Sequence, residues 1–303
     1  MTELSGLQKE IIKLKEEKDA LILAHYYQSL EVQDIADHVC DSFEMAKRAK
    51  NATSHLIVIC GVYFMAESAK ILSPEKKVII PSPEAGCPMA DMVDPEGVIA
   101  LKKEHPDATV MCYVNSSAAV KAVSDICCTS SSAVRIARSI DTKKIIFIPD
   151  KNLGKYTARQ VPEKEFIFWN GYCPTHDRIT EEDVVKAKNA LPEAVFAVHP
   201  ECRETVLNHA DFIGSTAEII KYVRETSHEQ IIIGTEMGIL ERLRRELPEK
   251  KIYSVTASFI CPDMKKTRSE DVRHCLEHER HEIKMTDEAI AAAKKSLDRM
   301  VAM

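Results

Sequence analysis

Ten cysteines occur in the 303 residues, at 40, 60, 87, 112, 127, 128, 173, 202, 261 and 275, and three of them precede proline. Cys87-Pro88, Cys173-Pro174 and Cys261-Pro262 follow one another at intervals of 86 and 88 residues. With ten Cys and 13 Pro in the chain, chance would supply only about 0.4 such dipeptides. If the three loops converge, three thiolates reach one centre. Two metal chemistries suit such a donor set: a [4Fe–4S] cluster, whose fourth iron would stay open as a Lewis acid, and a three-Cys zinc site with a bound water. Spacing leaves both open. No CxxC pair is present, which excludes zinc ribbons, ferredoxin runs and thioredoxin-type motifs. Unpaired cysteine is usually core filling. That is the reading for Cys60 and Cys112, as it is for Met65. Cys127 and Cys128 lie within a strand pattern, Cys202 lacks the proline, and Cys275 sits in a helical pattern without a repeat equivalent, so all four are left out of the centre.

Other polar groups recur at the same intervals. His25 and Tyr27, Tyr113 and Asn115, and His199 and Glu201 form one series, with first members 88 and 86 residues apart. Asp41-Ser42, Thr129-Ser130 and Ser215-Thr216 form another, again at 88 and 86. Imidazole, phenol and carboxyl groups can carry protons in general acid–base steps, and the Asn115 amide can orient a carboxylate. Hydroxyls at helix starts, such as Ser42, Ser130 and Thr216, suit a carboxylate or phosphate. Ser or Thr before a helix is more often a cap, and Ser215 with Glu218 has the capping-box pattern, which leaves Thr216 for a ligand. Together these groups point to a small, multiply anionic, oxygen-rich substrate.

The elements that must carry these residues are parallel strands. Apolar runs rich in Val and Ile alternate with helical patterns at 20–24, 38–40, 56–60, 77–81, 109–113, 124–128, 144–148, 165–169, 194–198, 210–213, 230–234 and 251–255. Every repeated polar group follows one of these runs, where open parallel sheets bind ligands. The fold expected is therefore α/β, with three similar three-layer α/β/α repeats, each holding a four-stranded parallel sheet, in pseudo-threefold symmetry around a central active site. The first repeat spans 1–90, with 279–303 packing on it; the second spans 91–176 and the third 177–278. Helices are expected at Gly97–His105, Glu181–Leu191 and Ser269–His278, followed by a strand at His281–Met285 and a helix at Asp287–Val301.

Composition narrows the function classes. Forty-one Lys and Arg against 47 Asp and Glu give a formal charge of −6 with no basic block, so neither nucleic acid nor a membrane surface is indicated. The longest apolar run, 56–66, is too short to span a bilayer. Residues 1–19 have an amphipathic pattern rather than a signal-peptide core, which predicts a cytoplasmic protein. GxGxxG and P-loop motifs are absent.

The motifs together resemble the quinolinate synthase (NadA) family along essentially the whole chain. They are AHYY (24–27), DSFEMA (41–46), AGCPMADM (85–92), YVNSSA (113–118), CTSSSA (128–133), WNGYCPTH (169–176), HPEC (199–202), GST (214–216), IGTEMGIL (233–240) and CPDMKKT (261–267). The resemblance implies condensation of iminoaspartate with dihydroxyacetone phosphate to quinolinate, with loss of phosphate and water, in NAD biosynthesis. It implies a [4Fe–4S] cluster on Cys87, Cys173 and Cys261. It also implies a substrate site of His25, Ser42, Tyr113, Asn115, Ser130, His199, Glu201 and Thr216; among the groups in reach, Tyr27, Glu201 and His25 are our choice for proton transfer. An aspartate oxidase or dehydrogenase would supply the imine. This chain departs from the family where relatives read TSANA or TSSNA, carrying Ser132 in place of Asn, and it lacks the CxxCxxC run that some members have near the last ligand. A hydro-lyase of the aconitase type and a non-catalytic iron–sulfur sensor are the rival readings.

Overall fold

The computed structural model describes residues 4–303. Its strands are β1 (Ala20–His25), β2 (His38–Cys40), β3 (Leu56–Cys60), β4 (Lys77–Ile79), β5 (Ala108–Tyr113), β6 (Ile126–Cys128), β7 (Lys144–Ile148), β8 (Glu165–Phe168), β9 (Val195–Val198), β10 (Phe212–Ile213), β11 (Gln230–Gly234) and β12 (Lys251–Ser254). They form three four-stranded sheets in the orders β2-β1-β3-β4, β6-β5-β7-β8 and β10-β9-β11-β12. All three are parallel and flanked by helices, so the α/β expectation holds. The same strand order recurs in each.

Parallel strands are buried on both faces, and the residue pattern follows from that. Along β1 and β3, Ile22, Ala24, Leu56, Val58 and Cys60 share a core with Ile11 of helix Gly6–Glu17 and with Val272, Cys275 and Leu276 of helix Ser269–His278. The alternate residues Leu23, Ile57 and Ile59 are equally buried and point to the other face. Helices Ser42–Lys50 and Tyr63–Leu72 pack there, the first against β1 and the second against β4. In the third sheet, Phe196, Val198 and Ile232 pack with Val184 of helix Glu181–Ala190 and with Val206 and Leu207.

Local chemistry sets the helix starts. Asp94 accepts the N–H of Gly97 at the head of Pro95–Glu104, and Pro95 at the first position has no N–H to lose. Capping boxes open Glu181–Ala190 (Thr180 with Asp183) and Thr216–Glu225 (Ser215 with Glu218). The amphipathic segment predicted at 1–19 is the helix Gly6–Glu17; its residues 1–3 lie outside the described residues. The C-terminal helix falls at Asp287–Val301 as expected.

The strand expected at His281–Met285 is not regular. It contributes one antiparallel bridge, Glu282 to Ile79. Glu279 and His281 have φ of 49° and 60°, a left-handed backbone that cannot continue an extended strand. Among the described residues no helix is long and apolar enough to cross a membrane.

The chain divides into two compact units. One is the chain up to Asp91 with Val114–Cys127 and Pro262–Met303; the other is Met92–Tyr113 with Cys128–Cys261. Phe196 lies fully buried in the second unit, so Phe196→Ala should cost about 3–5 kcal/mol and lower that unit's urea midpoint. Ile99→Ala, at a side chain 42% exposed, should change stability by less than about 0.5 kcal/mol.

Candidate active site and metal centre

In the unit that holds the first sheet, β1 ends on His25. The ring is buried, and its Nδ1 accepts the N–H of Tyr27 at 3.2 Å while the two rings meet edge to face at 4.6 Å. A nitrogen that accepts cannot carry the proton, so the neutral ring has its N–H on Nε2. The loop beyond β1 is tied down by buried Gln33, which donates to the carbonyls of Tyr26 (3.0 Å) and Gln28 (2.9 Å), and by Lys265, which donates to that of Tyr27. Eighty-eight residues later, buried Lys121 holds the next such loop by donating to the carbonyl of Ser116. Its ammonium lies 5.4 Å from the centre of the Phe64 ring. Asn115 sits in that loop, and its side-chain oxygen is buried with no hydrogen-bond partner in the structure. Natural proteins rarely leave such an acceptor unmatched. Ser42 is the first residue of its helix, and the cap itself is Asp41. Cys87 lies in a loop pinned where the Tyr63 N–H meets the Ala85 carbonyl at 2.8 Å.

In the other unit, Glu201 follows β9 and is 3% exposed, which would strongly penalise an unpaired charge. It is well supplied with partners. The Tyr113 hydroxyl donates to Oε1 at 2.6 Å, and His176 Nδ1 lies 2.8 Å from Oε2. Burial pushes this carboxyl up, but the neighbouring His176 ring and the bonds from His176 and Tyr113 outweigh it, so it is held well below the usual carboxylate range. His199 repeats the arrangement at His25. Its Nδ1 accepts the Glu201 N–H at 3.3 Å, which puts the ring N–H on Nε2, 3.3 Å from Ser130 Oγ. Burial lowers His199 to about 3, with Glu201 opposing, so the ring is neutral at neutral pH. His25 and His199 thus share one ring orientation, with Nδ1 accepting the N–H two residues on.

The hydroxyl series is less uniform than its spacing. Thr216 is the first residue of its helix and buried, with Ser215 as the cap, as the capping-box pattern predicted. The Thr129-Ser130 pair does not head a helix directly. The helix starts at Ala133, because Thr129 and Ser132 bond one another through the Thr129 N–H and Ser132 Oγ (2.9 Å). That turn frees Ser130 to face His199.

The cysteines separate by environment. Cys87, Cys173 and Cys261 are half-buried, whereas the other seven are buried. Desolvation raises the thiols of Cys40, Cys60, Cys128 and Cys202, and brings Cys275 up to about 12, which disfavours the thiolates that metals need. Each Cys-Pro also opens a helical turn, at Ala90–Met92, Pro174–Asp177 and Asp263–Lys265. Three accessible soft donors at equivalent loop positions are a suitable set for an iron–sulfur cluster.

Several residues escaped the sequence reading. His176 joins Cys173 and Glu201: its Nδ1 is 3.2 Å from Cys173 Sγ, and its Nε2 is 2.9 Å from the Thr235 hydroxyl. Cys173, His176 and Glu201 offer donor atoms within 4.8 Å of one another, a group able to hold a metal ion. The signal was Cys173-x-x-His176, but the other two Cys-Pro loops have no such histidine, so self-comparison passed over it. Asn152, whose amide bridges Asp177 Oδ1 (2.9 Å) and the Glu201 carbonyl (3.1 Å), had no motif to mark it.

The depressed His199 value sets a pH dependence for the metal-free chain. The unfolded chain protonates this ring below about pH 6.5 and the folded chain resists until about 3, so stability should fall as pH drops through that window. Glu201, held below its ordinary 4.5, adds a further loss under that pH. Urea midpoints measured between pH 7 and 4.5 should decline in the wild type and flatten in His199→Gln.

Comparison of the sequence with known proteins identifies a family. The family model described as Quinolinate synthetase A protein matches residues 9–302. A protein of Caldicellulosiruptor saccharolyticus named quinolinate synthase is 51% identical over 299 residues, covering 99% of each chain. One of Caldicellulosiruptor bescii with the same name is 53% identical over 297 residues, covering 98% of each. A third, from Clostridium kluyveri, is 49% identical over 297 residues with the same coverage. With a match over nearly its whole length, the chain belongs to the quinolinate synthetase A protein family.

Proposed function

We propose that this chain is a quinolinate synthase, an enzyme of NAD biosynthesis that condenses iminoaspartate with dihydroxyacetone phosphate and releases phosphate and water. The observation that carries the metal side of this reading is the sorting of the cysteines. Of ten, only the three at equivalent repeat positions escape burial. Cys87, Cys173 and Cys261 would hold a [4Fe–4S] cluster, one from each of the repeats 1–90, 91–176 and 177–278. When bound, the cluster supplies a Lewis-acidic iron with an open coordination position.

The remaining steps fall to the side chains. Both substrates are rich in anionic oxygen, and the Nε2–H groups of His25 and His199 match carboxylate or phosphate oxygens. Ser42, Ser130 and Thr216 add hydroxyl donors. The unpartnered Asn115 oxygen accepts a substrate N–H or O–H. Glu201 is ionised, buried and oriented by Tyr113 and His176, which suits a base that removes a proton from carbon or nitrogen. Tyr27 and His25, held together, are the proton donors to departing hydroxyl groups.

Anaerobically purified protein should contain about four iron and four sulfide per chain. Each of Cys87→Ser, Cys173→Ser and Cys261→Ser should lose both, and Cys275→Ser neither. One zinc and no sulfide would instead favour a mononuclear centre on Cys173, His176 and Glu201. The loaded wild type should form quinolinate from the two substrates. Tyr27→Phe and Glu201→Gln should keep the cluster and lose about 10²–10⁴-fold in turnover; full turnover in both would remove their catalytic assignment.

A further inference from the structure

Asp150 and Glu236 occupy equivalent places in the second and third repeats. Each follows the third strand of its sheet, β7 or β11, they stand 86 residues apart, and both are wholly buried. Burying a carboxyl group is costly, and a Ser, Thr or Asn would cap the following helix as well. The second oxygen distinguishes the acid. Asp150 Oδ1 accepts the N–H groups of Asn152 (2.8 Å) and Leu153 (2.9 Å), while Oδ2 accepts the N–H of Cys173 at 3.2 Å. Glu236 Oε2 accepts the N–H of Gly238 at 2.6 Å, while Oε1 accepts that of Cys261 at 3.3 Å. In both repeats one oxygen holds the start of the next helix and the other holds the cysteine.

The main chain around this contact is also shared. Lys151 N–H donates to Gly171 O and Met237 N–H to Phe259 O, each at 2.9 Å, two residues before the cysteine. At Gly171 the approach is so close that a Cβ would stand 2.6 Å from the Pro149 carbonyl oxygen. The first repeat keeps the main-chain link, Tyr63 N–H to Ala85 O at 2.8 Å, but has Val62 where the acid would stand. Two of the three cysteine loops are therefore clasped by the acid that follows the third strand, and the first has Val62 at that place.

We propose that Asp150 and Glu236 are positioning residues for the metal-binding cysteines, tying each cysteine's own N–H to the junction of strand and helix. This rests on the cluster reading above. A ligand cysteine's N–H turned toward sulfur withdraws electron density from the thiolate, and such bonds help set a cluster's potential. Holding the N–H on a carboxyl oxygen fixes the loop and leaves the sulfur the stronger donor to iron.

Asp150→Asn and Glu236→Gln separate this role from helix capping, because the amide oxygen can still serve the helix N–H groups while its NH₂ cannot accept from cysteine. In the metal-free protein, hydrogen exchange should quicken at least tenfold at the Cys173 amide in Asp150→Asn and at the Cys261 amide in Glu236→Gln. The amides of Leu153, Gly238 and Cys87 should keep wild-type rates. In the anaerobically loaded protein, both variants should lose iron to a chelator several-fold faster and show a higher cluster reduction potential, while Val62→Thr changes neither. Unchanged exchange at both cysteine amides would overturn the clasp. Quicker exchange with wild-type iron loss and potential would overturn the positioning role, as would a loss confined to the amides of helix Lys151–Gln160. If Asp150→Asn does not fold, Glu236→Gln carries the test alone. Absence of iron from the wild type would instead defeat the cluster reading, and the exchange experiment would still decide the clasp.

Discussion

A parallel sheet covered by helices on both faces can present polar chemistry only at its strand ends. Within β1, β3, β7, β9 and β11 nearly every side chain is buried among apolar neighbours, and a charged group there would lack partners. Beyond the last ladder bond the backbone turns out of the sheet and side chains can reach a ligand. The three sheets share one strand order, so the ends of their first and third strands form equivalent shelves. His25, Tyr113 and His199 stand on the first kind of shelf, and Asp150 and Glu236 on the second.

Glu201 shows how such a shelf tolerates a buried charge. Two donors on separate elements meet its two oxygens, Tyr113 from the end of β5 and His176 from the turn after Cys173. His176 is in turn fixed by Thr235, just past β11. A charge held by hydrogen bonds on both oxygens keeps its ionised form despite burial, which is the state a proton acceptor requires. The same contacts link the Cys173 loop to Glu201 and Tyr113, so the thiol and the buried carboxyl group share one hydrogen-bond network in this unit.

Cysteine burial separates structure from chemistry. Seven thiols are desolvated and behave as small apolar side chains. The remaining three stand where proline begins a short helical turn and the backbone is pinned from behind.

Sequence alone determined the α/β class, the strand positions and their threefold recurrence, because buried parallel strands are written as contiguous apolar runs and a repeat can be read by comparing the chain with itself. Cys87, Cys173 and Cys261, and the series headed by His25 and His199, were legible for the same reason. Tertiary structure decided what has no period. His176 occurs in one repeat only, and its partners lie 25 and 59 residues away. Asp150 and Glu236 recur in two repeats, but Val62 breaks the pattern in the first. Their roles depend on which backbone N–H each carboxyl oxygen meets, a contact made only when distant loops pack. The segment at His281–Met285 failed for a local reason, since left-handed backbone at Glu279 and His281 stopped an apolar pattern from becoming a strand. Hydrophobic pattern specifies which elements form; hydrogen-bond partners across long separations specify what their ends can do.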